Sequence, residues 1–174
     1  MKKISFLTKL AKDGKLQEVE PSGEIKEAYI QRSNESLSSA KALLKIGNLK
    51  DSVALSYYSM YHCLLATLFG IGIKCENHAA SIIILKEVFG VDNAKISKAK
   101  SDRVDKQYYV DFSVNYEEAD SSIKTAEEFI AQMSDIIAKL SEEKIKEHHK
   151  MAVHLFSEEK TKEERLKQKS KNSY

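Results

Sequence analysis

A chain of 174 residues is long enough for one domain with a sizeable core. Hydrophobic residues make up 42% and charged residues 31%, and six glycines with the single Pro21 are too few for a turn-rich all-β fold. A formal net charge of +2 is too small to argue for a general nucleic-acid binder from charge alone and does not exclude a local basic cleft, and no apolar run reaches the roughly 20 residues of a membrane span.

The opening "MKKISFLTKLAKDGK" has no long apolar centre and no small-residue cleavage site, so it reads as mature protein rather than a signal peptide. Residues 1–21 form a short amphipathic segment whose Ile4, Leu7 and Leu10 can meet a core or a partner. In "PSGE", Ser22 is a helix N-cap and Glu24 an acidic first-turn residue. The first long helix runs over about 24–46, from the helical spacing of Ile25, Ala28, Tyr29, Leu37, Ala40, Leu43 and Leu44. Its middle, 32–36, is polar, and Gly47-Asn48 ends it. A second helix follows over about 51–69, capped by Asp51 and closed by Gly70 and Gly72. The short connection makes these two an antiparallel hairpin.

"SIIILKEVF" belongs to a third helix, about 77–89. Its β-branched residues suit a strand, but no second strand is apparent to pair with it. Residues 91–115 have helical composition with little apolar surface, and "YYVDFSVNY" reads as an ordered loop. Asn115 and Glu118 then form a capping box, and Ala119 to Leu140 keep helical spacing for about seven turns. From Ser141 the chain is charge-rich with one apolar island, Ile145 to Phe156. The helix continues or restarts there and ends in a disordered lysine-rich stretch. The expected organisation is 1–21 N-terminal segment, 22–141 helical bundle and 142–174 charged helical tail.

Candidate site residues come from three places. On the second helix, Asp51, Tyr58 and His62 share one face, while Tyr57 and Tyr61 turn to the core with hydroxyls that reach water or a carbonyl. His62 is either a satisfied core histidine or part of a polar site against the loop before the last bundle helix. His78, near the start of the third helix, either caps it or lines a site. Cys75 and His78 have C-x-x-H spacing without a second ligand pair, so no metal is expected. Cys63 and Cys75 read as buried, reduced thiols, and His148, His149 and His154 as a solvated face. Arg103, between Asp102 and Asp105, either makes surface ion pairs or holds a phosphate with its planar fork.

Three stretches taken together, "ESLSSAKALLKIGNLKDSVALSYYSMYHCLL", "ENHAASIIIL" and the Arg103 segment ending in "YYVDF", resemble the HEPN domain family over about residues 24–140. The likeness is to its small single-domain prokaryotic members. The resemblance implies an all-α, up-and-down antiparallel bundle of four to five helices that forms a homodimer in the cytoplasm, with no cofactor and no membrane. Many such proteins are metal-independent RNases of toxin–antitoxin or defence systems. Others only bind nucleotides or accompany a small nucleotidyltransferase. The RNase signature is an arginine, then four to six residues, then a histidine. Arg103 matches the arginine, but Tyr108 stands where the histidine belongs. The expectation is a degenerate nuclease that binds a nucleotide or RNA phosphate through Arg103, with Tyr58, His62, Tyr108, Asp51 and His78 as site candidates. The alternatives are a non-catalytic partner of a nucleotidyltransferase, and an active endoribonuclease using His62 or His78 with Arg103.

Overall fold

Short-range signals set most of the helix ends. A computed structural model describes the backbone of residues 2–108 and 113–171 and the side chains of residues 6–103 and 113–157. In chain order the elements are α1 (Lys2–Lys12), β1 (Leu16–Glu18), α2 (Gly23–Lys45), α3 (Leu49–Gly70), β2 (Ile73–Cys75), α4 (His78–Phe89), α5 (Ala94–Tyr108), α6 (Tyr116–Ala138) and α7 (Glu142–Lys171). The Ser22 hydroxyl caps α2 by accepting from the Ile25 N–H at 3.2 Å. At the other end the Asn48 and Gly47 N–H groups bond back to the carbonyls of Leu43 and Leu44. The reciprocal Asn115–Glu118 capping box opens α6 as its sequence requires.

The all-α architecture follows, with α3 as its central helix. Sixteen of its 22 residues are buried, because α2, α4, α5 and α6 all pack on it. The α2–α3 hairpin closes on small polar residues rather than on an unbroken apolar stripe. Ser33, read as part of a polar stretch, is 1% exposed and donates its hydroxyl to the Ser59 carbonyl at 2.7 Å. Ser52 likewise donates to the Ala40 carbonyl at 2.9 Å. Each hydroxyl satisfies itself on the facing backbone, which lets the two helices approach closely.

The main core gathers Tyr57, Met60, Leu64 and Leu68 of α3 with Ile84 and Leu85 of α4, and Phe129 and Met133 of α6. A smaller cluster of Ala40, Leu44, Val53, Ala119 and Ile123 closes one end of the α2–α3–α6 layer. The same main core takes in Leu7 and Leu10 of α1 and Ala152 and Phe156 of α7. Leu7 and Leu10 of the N-terminal segment and Phe156 of the tail island are therefore used within this chain, while Met151 is exposed.

Four particulars differ from the sequence reading. Helix α3 begins at Leu49. Asn48 holds the cap position without a side-chain cap bond, and Asp51 instead accepts from the Asn48 side-chain amide at 2.8 Å. Residues 94–108, assigned no firm element, are helical. An antiparallel two-stranded ladder pairs Leu16 with Cys75 and Glu18 with Ile73. Strands of three residues are too short to show alternation, so nothing in the sequence announces them. His148 and His149 are also not a solvated face. The His148 ring stacks on Phe89 at 4.8 Å, while His149 meets the Ile71 carbonyl at 2.8 Å and Glu18 at 2.9 Å. The side chains of the "YYVDF" segment and of the lysine-rich chain end fall outside the described residues, but the backbone of that end, expected to be disordered, continues α7 to Lys171. No helix among the described residues is long and apolar enough to cross a membrane.

Candidate functional site

A row of rings and cations crosses the waist of α3. Tyr57 and Tyr58 lie side by side on that helix, and the Arg103 guanidinium from α5 sits over both, 5.6 Å from the Tyr57 ring centre and 5.1 Å from that of Tyr58. Its Nη1 donates to the Tyr58 hydroxyl at 2.6 Å. The guanidinium is thus held by one hydrogen bond and two aromatic faces, a geometry that suits arginine and not lysine. Its Nε is buried with no partner among the described residues.

On the other side of Tyr57, its hydroxyl meets Nδ1 of His78 at 2.5 Å, and the His78 ring stacks on Tyr61 with centroids 3.8 Å apart. Burial, and then the charges of Arg103 and Lys100, push the His78 imidazole down to about 4. At neutral pH the ring is therefore uncharged, with its Nδ1 hydrogen-bonded to the Tyr57 hydroxyl. Burial also raises the Tyr57 phenol above its ordinary range, an effect strengthened by Tyr61 and opposed by Arg103. Tyr61 is pushed up to about 12, chiefly by burial.

His78 is the first residue of α4. Asn77 caps that helix, its side-chain oxygen accepting from the Ala80 N–H at 3.0 Å. The positive end of the α4 dipole thus points into the space beside Arg103. A cavity of about 320 Å³ opens there, lined by Phe6, Glu76, Asn77, His78, Ala79, Lys100 and Arg103. Two cations, a helix N-terminus and a neutral imidazole line one cavity, a set of groups whose chemistry suits an oxyanion, with Glu76 the opposing charge in the lining.

The sequence candidates thus divide. Arg103, Tyr58, His62 and His78 come together: the Tyr58 ring stacks on His62 at 6.0 Å, and Nδ1 of His62 meets the Ser36 hydroxyl at 3.2 Å. His62 faces α2 rather than the loop before α6, and burial, then Arg32, lower its pKa. Asp51 is exposed at the start of α3 and joins none of these contacts. Tyr108 ends α5, and its side chain lies outside the described residues. The sequence reading missed Lys100, the α4 N-terminus and the hydroxyl of Tyr57, which reaches a histidine and not a carbonyl. Lys100 stands three residues before Arg103 on one helix, a spacing that places both on the same face and was legible. Nothing local linked Tyr57 to His78.

Cys63 and Cys75 are buried free thiols, Cys63 pushed up to about 12 by burial and Cys75 raised by the same cause, so neither is a nucleophile at neutral pH. No group of three or more His, Cys, Asp or Glu side chains that could hold a metal is present among the described residues.

The lowered histidines set a sign for acid stability. Below pH 6.5 the unfolded chain protonates these rings while folded His78 refuses the proton until about pH 4, so stability should fall through that window. His62 acts in the same direction. The variant His78→Gln should lose less stability than the wild type between pH 7 and about 4.5, read as urea midpoints. Equal losses in the two proteins would refute this assignment.

Known proteins bear on this geometry. A family model described as the HEPN domain matches residues 26–142. The UPF0332 protein PH1297 of Pyrococcus horikoshii is 43% identical over 56 residues, which are 32% of this chain and 39% of that protein's length. The protein named Putative toxin MJ0605 of Methanocaldococcus jannaschii is 26% identical over 121 residues, covering 66% of this chain and 90% of the relative.

Proposed function

We propose, for a chain that belongs to the HEPN domain family, a homodimeric cytoplasmic module that binds the phosphate of RNA or of a nucleotide at Arg103 and does not cleave it efficiently. The observation that carries this reading is the Arg103 guanidinium, fixed by Tyr58 at the mouth of a cavity that also receives Lys100, the α4 N-terminus and the His78 ring. A planar donor already held in place loses little freedom on binding an oxyanion.

The same groups explain why binding is favoured over catalysis. Cleavage of RNA without a metal needs one group to take a proton and another to give one. His78 is neutral but refuses a proton until about pH 4, so it is a weak base at neutral pH. Its hydrogen-bonded neighbour Tyr57 holds its own proton more tightly than an ordinary tyrosine, so it is a poor acid. The likeness to a relative named as a toxin supports a place in a toxin–antitoxin system, as effector or as its inactive descendant. A nucleotidyltransferase partner would not dock on Leu7, Leu10, Ala152 or Phe156, which are in the core, whereas Met151 of the tail island is exposed to it.

The test is a titration of the full chain with a fluorescent RNA octamer. Arg103→Ala should weaken binding by about ten- to a hundredfold, the loss of one or two charge-assisted hydrogen bonds. Light scattering on the same samples should give the mass of two chains. Saturable binding unchanged in Arg103→Ala, with both proteins equally folded by circular dichroism, would refute the reading. Metal-free cleavage of the octamer that disappears in His78→Ala would convert it to an endoribonuclease.

A further inference from the structure

A second cavity lies behind the Tyr58 ring. It measures about 440 Å³ and is lined by Ala28, Tyr29, Arg32, His62 and Leu65, a volume in the range of small-ligand sites, about 300–1,000 Å³. Its composition is that of a base site with a phosphate rim. Leu65 and Ala28 give apolar surface, Tyr29 and His62 give rings, and Arg32 is an exposed cation on the edge. None of the ion pairs among the described residues involves Arg32. The rings are held from behind: Tyr29 stacks on Phe69 at 5.4 Å, and Ser36 fixes His62.

The two cavities have no lining residue in common but are linked through the rings of Tyr58 and Tyr61. The Tyr58 ring stacks on His62 on one side and carries the Arg103 guanidinium on the other, while Tyr61 lies against both His62 and His78. Arg32 and Arg103 thus stand at either end of a single row of rings, with no acidic side chain among the groups that make the row. A mononucleotide fills one such cavity. A strand with successive bases and phosphates can fill both.

We infer that the Tyr29–Arg32–His62 cavity is a second nucleotide subsite, continuous through Tyr58 with the Arg103 site, so that the ligand is single-stranded RNA of at least two nucleotides. This rests on the phosphate-binding reading of Arg103. The strand lays one phosphate against Arg103 and Lys100 and a neighbouring one against Arg32, with a base against Tyr29 and His62. Stacking of this kind tolerates any base, so the subsite adds length dependence more than sequence preference.

The full chain is titrated with uridine 5′-monophosphate and with a labelled oligouridylate of eight residues, at several salt concentrations. The wild type should bind the octamer at least tenfold tighter than the monophosphate. Arg32→Ala, a change at an exposed position, should weaken the octamer about tenfold and leave the monophosphate within twofold. It should also reduce the slope of log affinity against log salt by about 0.7, one phosphate contact on a single strand. Arg32→Lys should restore that slope. Octamer affinity within twofold of wild type in Arg32→Ala, or an equal loss for both ligands, overturns the subsite. Octamer binding that survives Arg103→Ala overturns the phosphate-binding reading itself, and the continuous site with it, so the two failures are distinguishable.

Discussion

Replacing Gly72 by alanine should destabilise the protein by about 3 kcal/mol or more, far beyond the usual effect of one added methyl group. The residue sits at φ +77°, where a side chain is strained in any surroundings. A Cβ there would also lie 2.5 Å from the Val19 carbonyl oxygen, 2.9 Å from Nδ1 of His149 and 3.1 Å from Cδ of Pro21. The first of these is backbone and cannot swing away. Gly72 also bonds through its own N–H to the Phe69 carbonyl and accepts from the Val19 N–H, so it fastens the end of α3 to the segment leaving β1. His149 reaches the same point from α7, and its two ring nitrogens face the Ile71 carbonyl and the Glu18 carboxylate. Only the imidazolium donates to both. Burial alone would lower its pKa, but these two acceptors together raise it. Gly47 is the matched comparison, at φ +78° with nothing within 4 Å of the point where a Cβ would lie. Gly47→Ala should therefore cost only the conformational strain, about 1–2 kcal/mol. Urea unfolding of both variants checks the difference, and the melting temperature of Gly72→Ala should drop by roughly 6–12 °C. Equal losses at the two glycines would show that the Gly72 neighbours yield.

Tyr57→Ala should do comparable damage and should abolish ligand binding with it. The ring is fully buried and stands between the core and the site. Removing it leaves a large cavity, at about 3–5 kcal/mol. It also takes one of two faces from the Arg103 guanidinium and the hydroxyl partner from His78. Against the about 5–15 kcal/mol that holds an ordinary domain together, this is a large fraction. Tyr57→Phe separates the two roles. It keeps the ring under Arg103 and removes only the hydroxyl, so it should cost about 1–2 kcal/mol and leave octamer affinity within about threefold. Denaturant curves and RNA titrations of the two variants give the answer. Octamer binding at wild-type strength in folded Tyr57→Ala would show that the ring does not position Arg103.

Much of the architecture is written in local chemistry. The Ser22 cap, the left-handed turn at Gly47 and the Asn115–Glu118 box each act over three or four residues, and all three appear where the residues demand them. Helical spacing also placed α2, α3, α4 and α6 to within a few residues, and the likeness of the α2–α3 stretch to the HEPN domain agrees with the family match. Where local chemistry was weak, the reading thinned. The α5 sequence has little apolar surface, and Ser33 read only as part of a polar stretch because its partner is a carbonyl on another helix.

The site belongs to the other category. Arg103 and Tyr58 are 45 residues apart, Tyr57 and His78 are 21 apart, and His149 reaches back 78 residues to Ile71. Periodicity tells which face of a helix a side chain occupies, and so it put Tyr58 and His62 together. It carries no information on which other element will lie against that face. That choice is made when the whole core packs, because each ring and hydroxyl takes the partner that the burial of its neighbours leaves within reach. The residue types of the candidate site were therefore present in the chain from the start, while their convergence around α3 is a product of the assembled bundle.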